Sequence, residues 1–369
     1  MKILYITAEI NGDGGVQKIL ATKTDYFIKH FNYQIDIISL NRGDNLFFEF
    51  NQKVNFHFIK LKCGRISKFL EYIKQVQKYI DFLKPDCIVV CDFGIKGFSI
   101  PLIIKSKIPL IFEAHGSKFN ESSDYKKTLF SKISHNLKYK YKDFCASKFD
   151  FFVALSAESL KEWSLKNGYI IPNFLNESNP VTSNLNSKKA ITVARHSYEK
   201  GLDRLLKIWK LVVEKYPDWQ LEIYGSKSGD LALQQLVVDY HLELNVNFHE
   251  PVKNIHEKYQ ESSMCLMTSR SEGFPMVILE AMSFGLPVIA FDCPIGPRVL
   301  IENNYNGFLI PNGDIDFFTS KIMELIENKN TALTMGINAK TSIKKYDIKP
   351  IMQLWQEFFL NVEKLTIKI

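Results

Sequence analysis

Residues 269–287 read Ser-Arg-Ser-Glu-Gly-Phe-Pro-Met-Val-Ile-Leu-Glu-Ala-Met-Ser-Phe-Gly-Leu-Pro, and this stretch decides the fold around it. Gly273 and Pro275 indicate a tight turn after the apolar residues 265–267, whereas residues 276–284 carry helical spacing. A strand therefore ends here and a helix begins. The first N–H groups of a helix lack internal partners and carry the positive end of its dipole, so the junction suits an anionic or hydroxyl-rich ligand.

Two glutamates flank this turn. Glu272 precedes the helix, and Glu280 is predicted two turns inside it. Carboxylates accept hydrogen bonds from vicinal hydroxyls, so one glutamate could hold a sugar and the other a ribose. Two glutamates at this spacing usually form a solvated helix face. The apolar neighbours Leu279 and Met282 disfavour that interpretation, because a carboxylate among them needs a partner. We therefore predict a sugar-nucleotide site.

A second motif lies upstream, in the sequence Ile-Thr-Val-Ala-Arg-His-Ser-Tyr-Glu-Lys-Gly of residues 191–201. Arg195 can make a bidentate contact and Lys200 acts as a point charge, which together suit a departing pyrophosphate without a metal. Taken alone, the two could be ordinary surface cations. Their place at the end of a strand, upstream of the glutamate pair, favours a site.

The segment with the two glutamates resembles the E-x7-E region of the family-4 retaining glycosyltransferases, and the resemblance covers nearly the whole chain. It implies an α/β fold of the GT-B type, with two facing Rossmann-like domains, parallel sheets and a central cleft. The family places its Arg and Lys on the donor diphosphate. The resemblance implies donor-binding roles for Gly14, Gly15, Arg195, Lys200, Gly225, Gly273, Phe274, Pro275, Met276, Val277 and Glu280. The catalytic residues it implies are His115, Glu272, Arg195 and Lys200.

The loop of residues 12–17, Gly-Asp-Gly-Gly-Val-Gln, follows an apolar strand and is similar to the glycine-rich first loop of that family. There the backbone approaches donor phosphate or acceptor. The loop could instead be a dinucleotide fingerprint, but Gln17 occupies the third glycine position and no acidic residue obviously ends a second strand. Nicotinamide binding is therefore disfavoured.

The sequence Phe-Glu-Ala-His-Gly-Ser at residues 112–117 follows an apolar strand and resembles the histidine-containing loop of the same family. The resemblance implies that His115 acts on the acceptor side, and Gly116 lets the backbone turn there. A lone histidine is more often a structural hydrogen-bond partner, and that alternative stays open. The sequence gives no role for Glu113.

The chain departs from the family at three places. Ala194 replaces the glycine that usually precedes the phosphate arginine, residues 249–251 stand where a glycine is common, and Arg298 stands where many members have glutamate. Residues 292–297 resemble the subgroup that builds bacterial surface polysaccharides and lipid-linked oligosaccharides. That likeness implies a UDP-linked hexose or N-acetylhexosamine.

A chain of 369 residues exceeds the length at which a single core keeps growing, so two domains are expected. We predict an acceptor-binding Rossmann-like domain at residues 1–175 and a nucleotide-sugar-binding one at 190–345. The Asn- and Ser-rich residues 176–189, with Pro180, would join them. Residues 346–369 form a helix that in the resembling fold crosses back to the first domain, or else packs on the second.

Positive charge is concentrated in the first half, where residues 1–180 hold 26 Lys and Arg against 18 Asp and Glu. It gathers in residues 65–84 and 125–148, where lysines alternate with apolar residues. Such helices can lie on an anionic membrane or contact a lipid pyrophosphate, each cation contributing about 1 kcal/mol. The alternative is a solvated lysine-rich face. No recognised nucleic-acid module accompanies the charge, so nucleic acid is disfavoured.

Nothing in the sequence resembles a signal peptide, since a strand is expected from the first residues, and no apolar run approaches the ~20 residues that cross a bilayer. A cytoplasmic protein, peripheral at the inner face of the membrane, is expected. The cysteines show no metal spacing, so reduced thiols are expected; they are Cys63, Cys87, Cys91, Cys145, Cys265 and Cys293. Asp314 and Asp316 spell a D-x-D motif, but Asp314 fits a helix N-cap better. No metal or other cofactor is expected, since the nucleotide-sugar is a substrate.

Together these features predict a retaining glycosyltransferase that moves a sugar from a nucleotide-sugar, UDP-linked by the subgroup likeness, to a glycan or lipid-linked oligosaccharide in bacterial polysaccharide biosynthesis. One alternative is a sugar-nucleotide epimerase, which would need no acceptor. Another is a non-catalytic partner with the same fold. The joint presence of the two cations and the two glutamates argues against such decay.

Overall fold

The computed structural model describes residues 1–40, 45–61, 65–118, 129–163, 165, 168–176, 181–227 and 232–366, without the side chains of residues 65–67, 129–133 and 366. The described residues form two compact units. The first contains residues 1–118, 129–174 and 349–366, and the second contains residues 175–348.

The first unit is built on a sheet whose described strands are all parallel, in the order β3-β2-β1-β4-β5-β6-β7. The strands are β1 (Lys2–Thr7), β2 (Gln34–Ser39), β3 (Asn55–Phe58), β4 (Cys87–Val90), β5 (Leu110–Ala114), β6 (Phe151–Ala154) and β7 (Gly168–Ile170). The central strands are apolar and buried along their length, as expected of a parallel sheet. The helices are α1 (Gly15–Phe31), α2 (Arg65–Leu83), α3 (Ile95–Ile103), α4 (Leu129–Ala146) and α5 (Ala157–Lys161).

The second unit has a parallel sheet in the order β10-β9-β8-β11-β12-β13. Its strands are β8 (Lys189–Val193), β9 (Gln220–Tyr224), β10 (Val246–His249), β11 (Met264–Met267), β12 (Val288–Asp292) and β13 (Gly307–Pro311). Its helices are α6 (Leu202–Lys215), α7 (Leu233–Asp239), α8 (His256–Gln260), α9 (Met276–Ser283), α10 (Pro297–Leu300), α11 (Ile315–Glu327) and α12 (Lys329–Ser342). Short 3-10 helices span Tyr198–Lys200 and Ile343–Tyr346. Two parallel-sheet α/β domains confirm the predicted fold class.

In each sheet the strand order reverses at one point. The reversal lies between β1 and β4 in the first unit and between β8 and β11 in the second. Open α/β sheets bind ligands outside the carboxyl ends of the strands at such a point, because the connecting helices diverge there and leave a crevice. The loops that follow these strands are therefore where each unit is expected to carry its site.

The last helix, α13 (Ile348–Thr366), belongs to the first unit from residue 349 onward. Its apolar stripe is buried: the ring of Phe359 lies 5.7 Å from that of Phe27, and Trp355 is 2% exposed. The described part of this helix from residue 349 onward therefore packs within the first unit.

Five cysteines within the described residues are buried and unpaired, namely Cys87, Cys91, Cys145, Cys265 and Cys293. Three predicted features fall outside the described residues: Cys63, Pro180 of the predicted linker, and residues 125–128 of the second lysine-rich stretch. Among the helices in the described part of the chain, none is long and apolar enough to cross a membrane.

Candidate active site

The two motifs of the second unit meet at the strand reversal. β8 and β11 are neighbours in the sheet, with Ile191 paired to Cys265, so the loops that follow them lie side by side. Arg195 and Lys200 belong to the first loop and Glu272 to the second. Topology thus brings together two motifs that are far apart in the sequence.

A half-buried ion pair joins these loops. Lys200 Nζ lies 2.8 Å from Glu272 Oε1, and the two side chains are 23% and 12% exposed. The Ser269 hydroxyl donates to the same carboxylate oxygen at 2.6 Å. Two predicted site residues are therefore in direct contact, in a pair that water can still reach.

Arg270 fastens the two loops to each other. Its guanidinium donates to both carboxylate oxygens of Asp203, at 2.8 and 2.7 Å, and to the carbonyl of Tyr198 at 2.6 Å. Burial raises the pKa of Asp203, but the hydrogen bonds and charge of Arg270 outweigh it and lower the pKa. The backbone N–H of Arg270 also donates to the carbonyl oxygen of Glu199 at 2.7 Å. No local pattern in the sequence marks Arg270, because its partners Tyr198 and Asp203 lie in a distant part of the chain.

Two glycines permit the close approach of these loops. Gly201 has φ 65°, and a Cβ there would come within 2.1 Å of the Thr268 carbonyl oxygen. At the end of β9, a Cβ on Gly225 would lie 2.0 Å from the Ala194 carbonyl oxygen. Gly225 therefore lets β9 abut the loop of Arg195, whose side chain is 51% exposed with Nη2 3.5 Å from Glu199 Oε1.

Glu280 is the fifth residue of α9, so it lies just over one turn inside the helix and not the predicted two. The residue is 7% exposed, and the Tyr259 hydroxyl donates to its Oε2 at 3.3 Å. Burial, together with the charge of Glu280, raises the pKa of Tyr259 well above its usual value, so the phenol remains a donor. The expected partner of this buried carboxylate is thus present, although the sequence did not identify it.

Residues 295–296 pack against Glu272, which stands just before the turn that leads into α9. Glu272 forms a parallel bridge with Ile295, and a Cβ on Gly296 would lie 2.6 Å from the Glu272 Cβ. Ile295 holds φ 76°, an unusual conformation for a β-branched residue. Phe274 is buried, with its ring 5.6 Å from that of Tyr346. The predicted turn and the start of the helix follow Glu272 directly and consist of Gly273, Phe274, Pro275, Met276 and Val277.

In the first unit, Gly14 and Gly15 follow β1 at the strand reversal. Gly14 is the N-cap residue of α1, and Gly15 is the first helical residue. A Cβ on Gly14 would lie 2.9 Å from Gln17 Oε1, so the residue at the third fingerprint position folds back over the loop. The predicted glycine loop thus opens a helix, as expected.

His115 follows β5 and is 7% exposed in its side chain. Its Nε2 lies 3.2 Å from Glu113 Oε1, and Lys23 Nζ lies 2.5 Å from each oxygen of Glu113. Burial would raise the pKa of Glu113, but Lys23 and His115 outweigh it and lower the pKa to about 2. Glu113, to which the sequence assigned no role, therefore carries a buried negative charge.

Potential metal ligands also meet here. One ligand atom each from Cys91, Glu113 and His115 lie within 4.8 Å of one another. The set does not fit a metal, because the ammonium of Lys23 contacts both carboxylate oxygens and burial raises the pKa of the Cys91 thiol well above its usual value.

Elsewhere, Asp314 of the D-x-D motif accepts from Phe317 N at 3.0 Å, as the predicted N-cap of α11.

Residues 173–342 match the family described as Glycosyl transferases group 1. A Haemophilus influenzae protein described as an uncharacterized glycosyltransferase is 28% identical, over 96% of this chain and 99% of its own length. The amylovoran biosynthesis glycosyltransferase AmsD of Erwinia amylovora is 27% identical, over 96% of this chain and 99% of its own.

Among solved structures, a mutant of TarM from S. aureus, in complex with fondaparinux, alpha-GlcNAc-glycerol and UDP, is similar with a TM-score of 0.79. The likeness covers 98% of this chain and 99% of TarM at 17% identity. At that identity it shows the fold alone, which is the GT-B class predicted from the sequence.

Proposed function

We propose that this glycosyltransferase, whose residues 173–342 form a glycosyl transferases group 1 domain, moves a sugar from a UDP-sugar to a glycan or lipid-linked oligosaccharide, with retention of configuration, in bacterial polysaccharide biosynthesis. The observation that carries the proposal is the Lys200–Glu272 pair at the strand reversal, 2.8 Å apart and open to water. The UDP bound by TarM and the name of AmsD support the donor and the pathway.

The donor diphosphate would lie on Arg195 and Lys200. The Lys200 ammonium donates to the Glu272 carboxylate. A diphosphate offers this ammonium stronger acceptors, and its arrival frees Glu272 to accept from sugar hydroxyls. Two cations then stabilise the charge that grows on the departing nucleotide, so no metal is required.

The ribose would lie on Glu280. Its carboxylate is oriented by the Tyr259 hydroxyl, and an oriented carboxylate suits the paired hydroxyls of a ribose. The backbone of residues 273–276, at the start of α9, would face the sugar, where the helix dipole favours hydroxyl and anionic groups. His115 would act on the acceptor side.

The proposal also includes contact with an anionic membrane through α2, α3 and α4. These helices are neighbours: Lys96 Nζ lies 5.6 Å from the centre of the Tyr72 ring, and the Ser99 and Tyr141 hydroxyls are 2.7 Å apart. Their outer surfaces therefore form one face, which we call the lysine-rich face.

The lysine-rich face combines cations with bare apolar side chains. Its apolar members are each at least 43% exposed, namely Leu70, Phe82, Leu102, Leu137 and Phe144. Its exposed lysines are Lys68, Lys74, Lys78, Lys84, Lys105, Lys107, Lys138, Lys140 and Lys148. Across residues 68–84, 95–107 and 134–148, Asp81 is exposed, and Glu71 and Asp143 are partly exposed. Apolar side chains can enter the headgroup region while each lysine gains about 1 kcal/mol from anionic lipid.

Site variants test the transfer reaction. We expect Lys200→Ala and Glu280→Ala each to lower sugar transfer from UDP-sugars by roughly tenfold or more, because each removes a donor contact. The matched control is Lys215→Ala, which breaks the exposed Lys215–Glu327 pair of the same unit. Near-normal transfer in both site variants would contradict the assignment. Epimerised nucleotide-sugar without acceptor would indicate an epimerase, and no turnover with any UDP-sugar a non-catalytic partner.

Sedimentation with vesicles tests the membrane contact. The chain should bind vesicles of phosphatidylcholine with phosphatidylglycerol and not vesicles of phosphatidylcholine alone. Lys74→Glu/Lys78→Glu and Phe82→Ser should each weaken binding. The charge-matched control Lys210→Glu/Lys253→Glu, in exposed positions of the second unit, should leave it unchanged. Equal loss in the control would mean that binding follows net charge alone and would overturn this part of the proposal.

A further inference from the structure

A buried group of three ionisable side chains lies at the carboxyl end of the first sheet. Lys23 on α1 and Glu113 on β5 are each 1% exposed in their side chains, and His115 just after β5 is 7% exposed. Removing a lysine and a glutamate from water costs several kcal/mol per ion, which their attraction only partly offsets. A hydrophobic pair would fill the same space at lower cost, so the arrangement calls for a chemical reason.

The surroundings keep Glu113 ionised. Lys23 Nζ contacts both carboxylate oxygens at 2.5 Å, so the negative charge has a full counter-charge. The Lys23 ammonium in turn lies 4.2 Å from the centre of the Trp355 ring and 5.3 Å from that of Tyr5. Aromatic faces attract a cation and exclude water, so the ammonium is held in place on its other side.

An ionised carboxylate fixes the tautomer of the histidine beside it. A carboxylate has no proton to give, so the 3.2 Å contact between Glu113 Oε1 and His115 Nε2 is a hydrogen bond only if Nε2 donates. In the neutral ring Nδ1 then carries the lone pair. Nδ1 is also buried and has no hydrogen-bond partner among the described residues, whereas buried polar atoms nearly always have one.

We infer that Glu113 is a positioning residue: it holds the ring proton of His115 on Nε2, so that Nδ1 is presented as an acceptor for a substrate hydroxyl, and Lys23 keeps Glu113 in the charged form that does this. The inference rests on the proposed function, since it assumes that His115 meets a sugar hydroxyl. On this inference, the free energy spent in burying Lys23 and Glu113 serves to fix the orientation and the tautomer of the His115 ring.

Nitrogen-15 NMR of the histidine-labelled full chain tests the tautomer directly. We expect protonated Nε2 and bare Nδ1 for His115 in the neutral ring. In Glu113→Gln the amide oxygen faces Lys23 and its NH2 group faces the ring, so the proton should move to Nδ1. Glu113→Asp keeps a carboxylate and should keep the proton on Nε2. A proton on Nδ1 in the unsubstituted chain, or no change in Glu113→Gln, would overturn the inference.

Kinetics separate positioning from mere structure. Glu113→Gln should lower kcat by roughly tenfold with little change in donor KM, since the proposed contacts of the diphosphate and the ribose, Arg195, Lys200 and Glu280, lie in the other unit. Glu113→Asp should recover part of the loss, and Glu113→Gln/His115→Ala should be no slower than His115→Ala. The matched control is Asp36→Asn at the His57–Asp36 pair, whose ring nitrogen and carboxylate oxygen are 2.7 Å apart on the same sheet. That variant should leave transfer unchanged.

The outcomes distinguish this inference from the proposed function. Full turnover in Glu113→Gln, with transfer still lost in Lys200→Ala, would overturn the positioning role and leave the glycosyl transfer intact. Full turnover in Lys200→Ala would instead overturn the donor assignment. The NMR result stands independently of both, because it reads the ring of His115 without any substrate.

Discussion

Two lysine–glutamate pairs lie at the carboxyl ends of the two sheets, and their exposure differs far more than their geometry. In the first unit, Lys23 and Glu113 are 2.5 Å apart and each 1% exposed. In the second unit, Lys200 and Glu272 are 2.8 Å apart and 23% and 12% exposed. The same chemical pair is thus fully buried in one unit and open to water in the other.

The physical reason is the competition of water with each partner. A buried pair cannot replace a lost partner by water, so breaking it leaves a bare charge in a poorly polarisable interior. A pair at the surface gains little from its own attraction, because water screens it and solvates each partner once separated. Only the second kind can give up a partner to a charged ligand at low cost.

The largest expected effect is on stability, in a direct comparison of the two pairs. Lys23→Met removes the counter-charge that lies on both oxygens of the buried Glu113 carboxylate, and we expect a loss of about 3–5 kcal/mol in the free energy of unfolding. Lys200→Met should cost about 1 kcal/mol or less. Urea unfolding measures both, with amide hydrogen exchange in β5 and β11 reading each unit separately. Similar losses in the two variants would break the comparison.

Acid should weaken the buried pair in a defined range. The folded pKa of Glu113 is lowered from 4.5 to about 2, so the pair contributes stability above the unfolded value, and that stability is lost as the pH falls through the folded value. Between these values the chain should lose about 3 kcal/mol through this group. The measurement is the difference between the unsubstituted chain and Glu113→Gln in unfolding free energy against pH. A difference that stays constant from pH 4.5 to 2 would contradict it.

The sequence predicted site residues at the ends of strands, because a strand end, a turn and a helix start leave a local pattern. Gly14, Arg195, Lys200 and Glu272 were found in this way, and the structure brings the last two into contact. Glu280 was placed one turn too deep, since the start of α9 at Met276 leaves it only the fifth helical residue.

The sequence could not predict contacts between residues that are far apart in the chain and meet only in the folded protein. Lys23 contacts Glu113 across ninety positions, and Arg270 contacts Asp203 across sixty-seven. Neither spacing repeats a helical or strand period, so no local pattern links the residues of each pair. No pattern in the sequence distinguishes Tyr259, which becomes a donor to Glu280 only when α8 and α9 come together. The role of Glu113 was missed for the same reason.

Nucleotide binding sharpens the comparison from the exposed side. If Glu272 competes with the diphosphate for the Lys200 ammonium, Glu272→Gln should raise the affinity for UDP several-fold, about 1 kcal/mol, while sugar transfer falls because the sugar contact is gone. Isothermal titration with UDP and a transfer assay measure the two effects. Glu113→Gln is the control and should leave UDP affinity unchanged. Weaker UDP binding in Glu272→Gln would show that the glutamate orients the lysine and does not compete for it.

The smallest expected effect concerns a third ion pair, whose contact distance is similar to those of the two lysine–glutamate pairs but whose side chains are more exposed. Arg298 and Asp292 are 2.8 Å apart, 50% and 28% exposed, and doubly hydrogen-bonded. We expect Arg298→Ala to change the free energy of unfolding by about 0.5 kcal/mol or less, because solvent already competes for both partners. If contact distance governed these pairs, this loss and that of Lys200→Met would be equal, since both distances are 2.8 Å. If burial governs them, the losses should fall in the order Lys23, Lys200, Arg298, and the same urea measurements decide between the two.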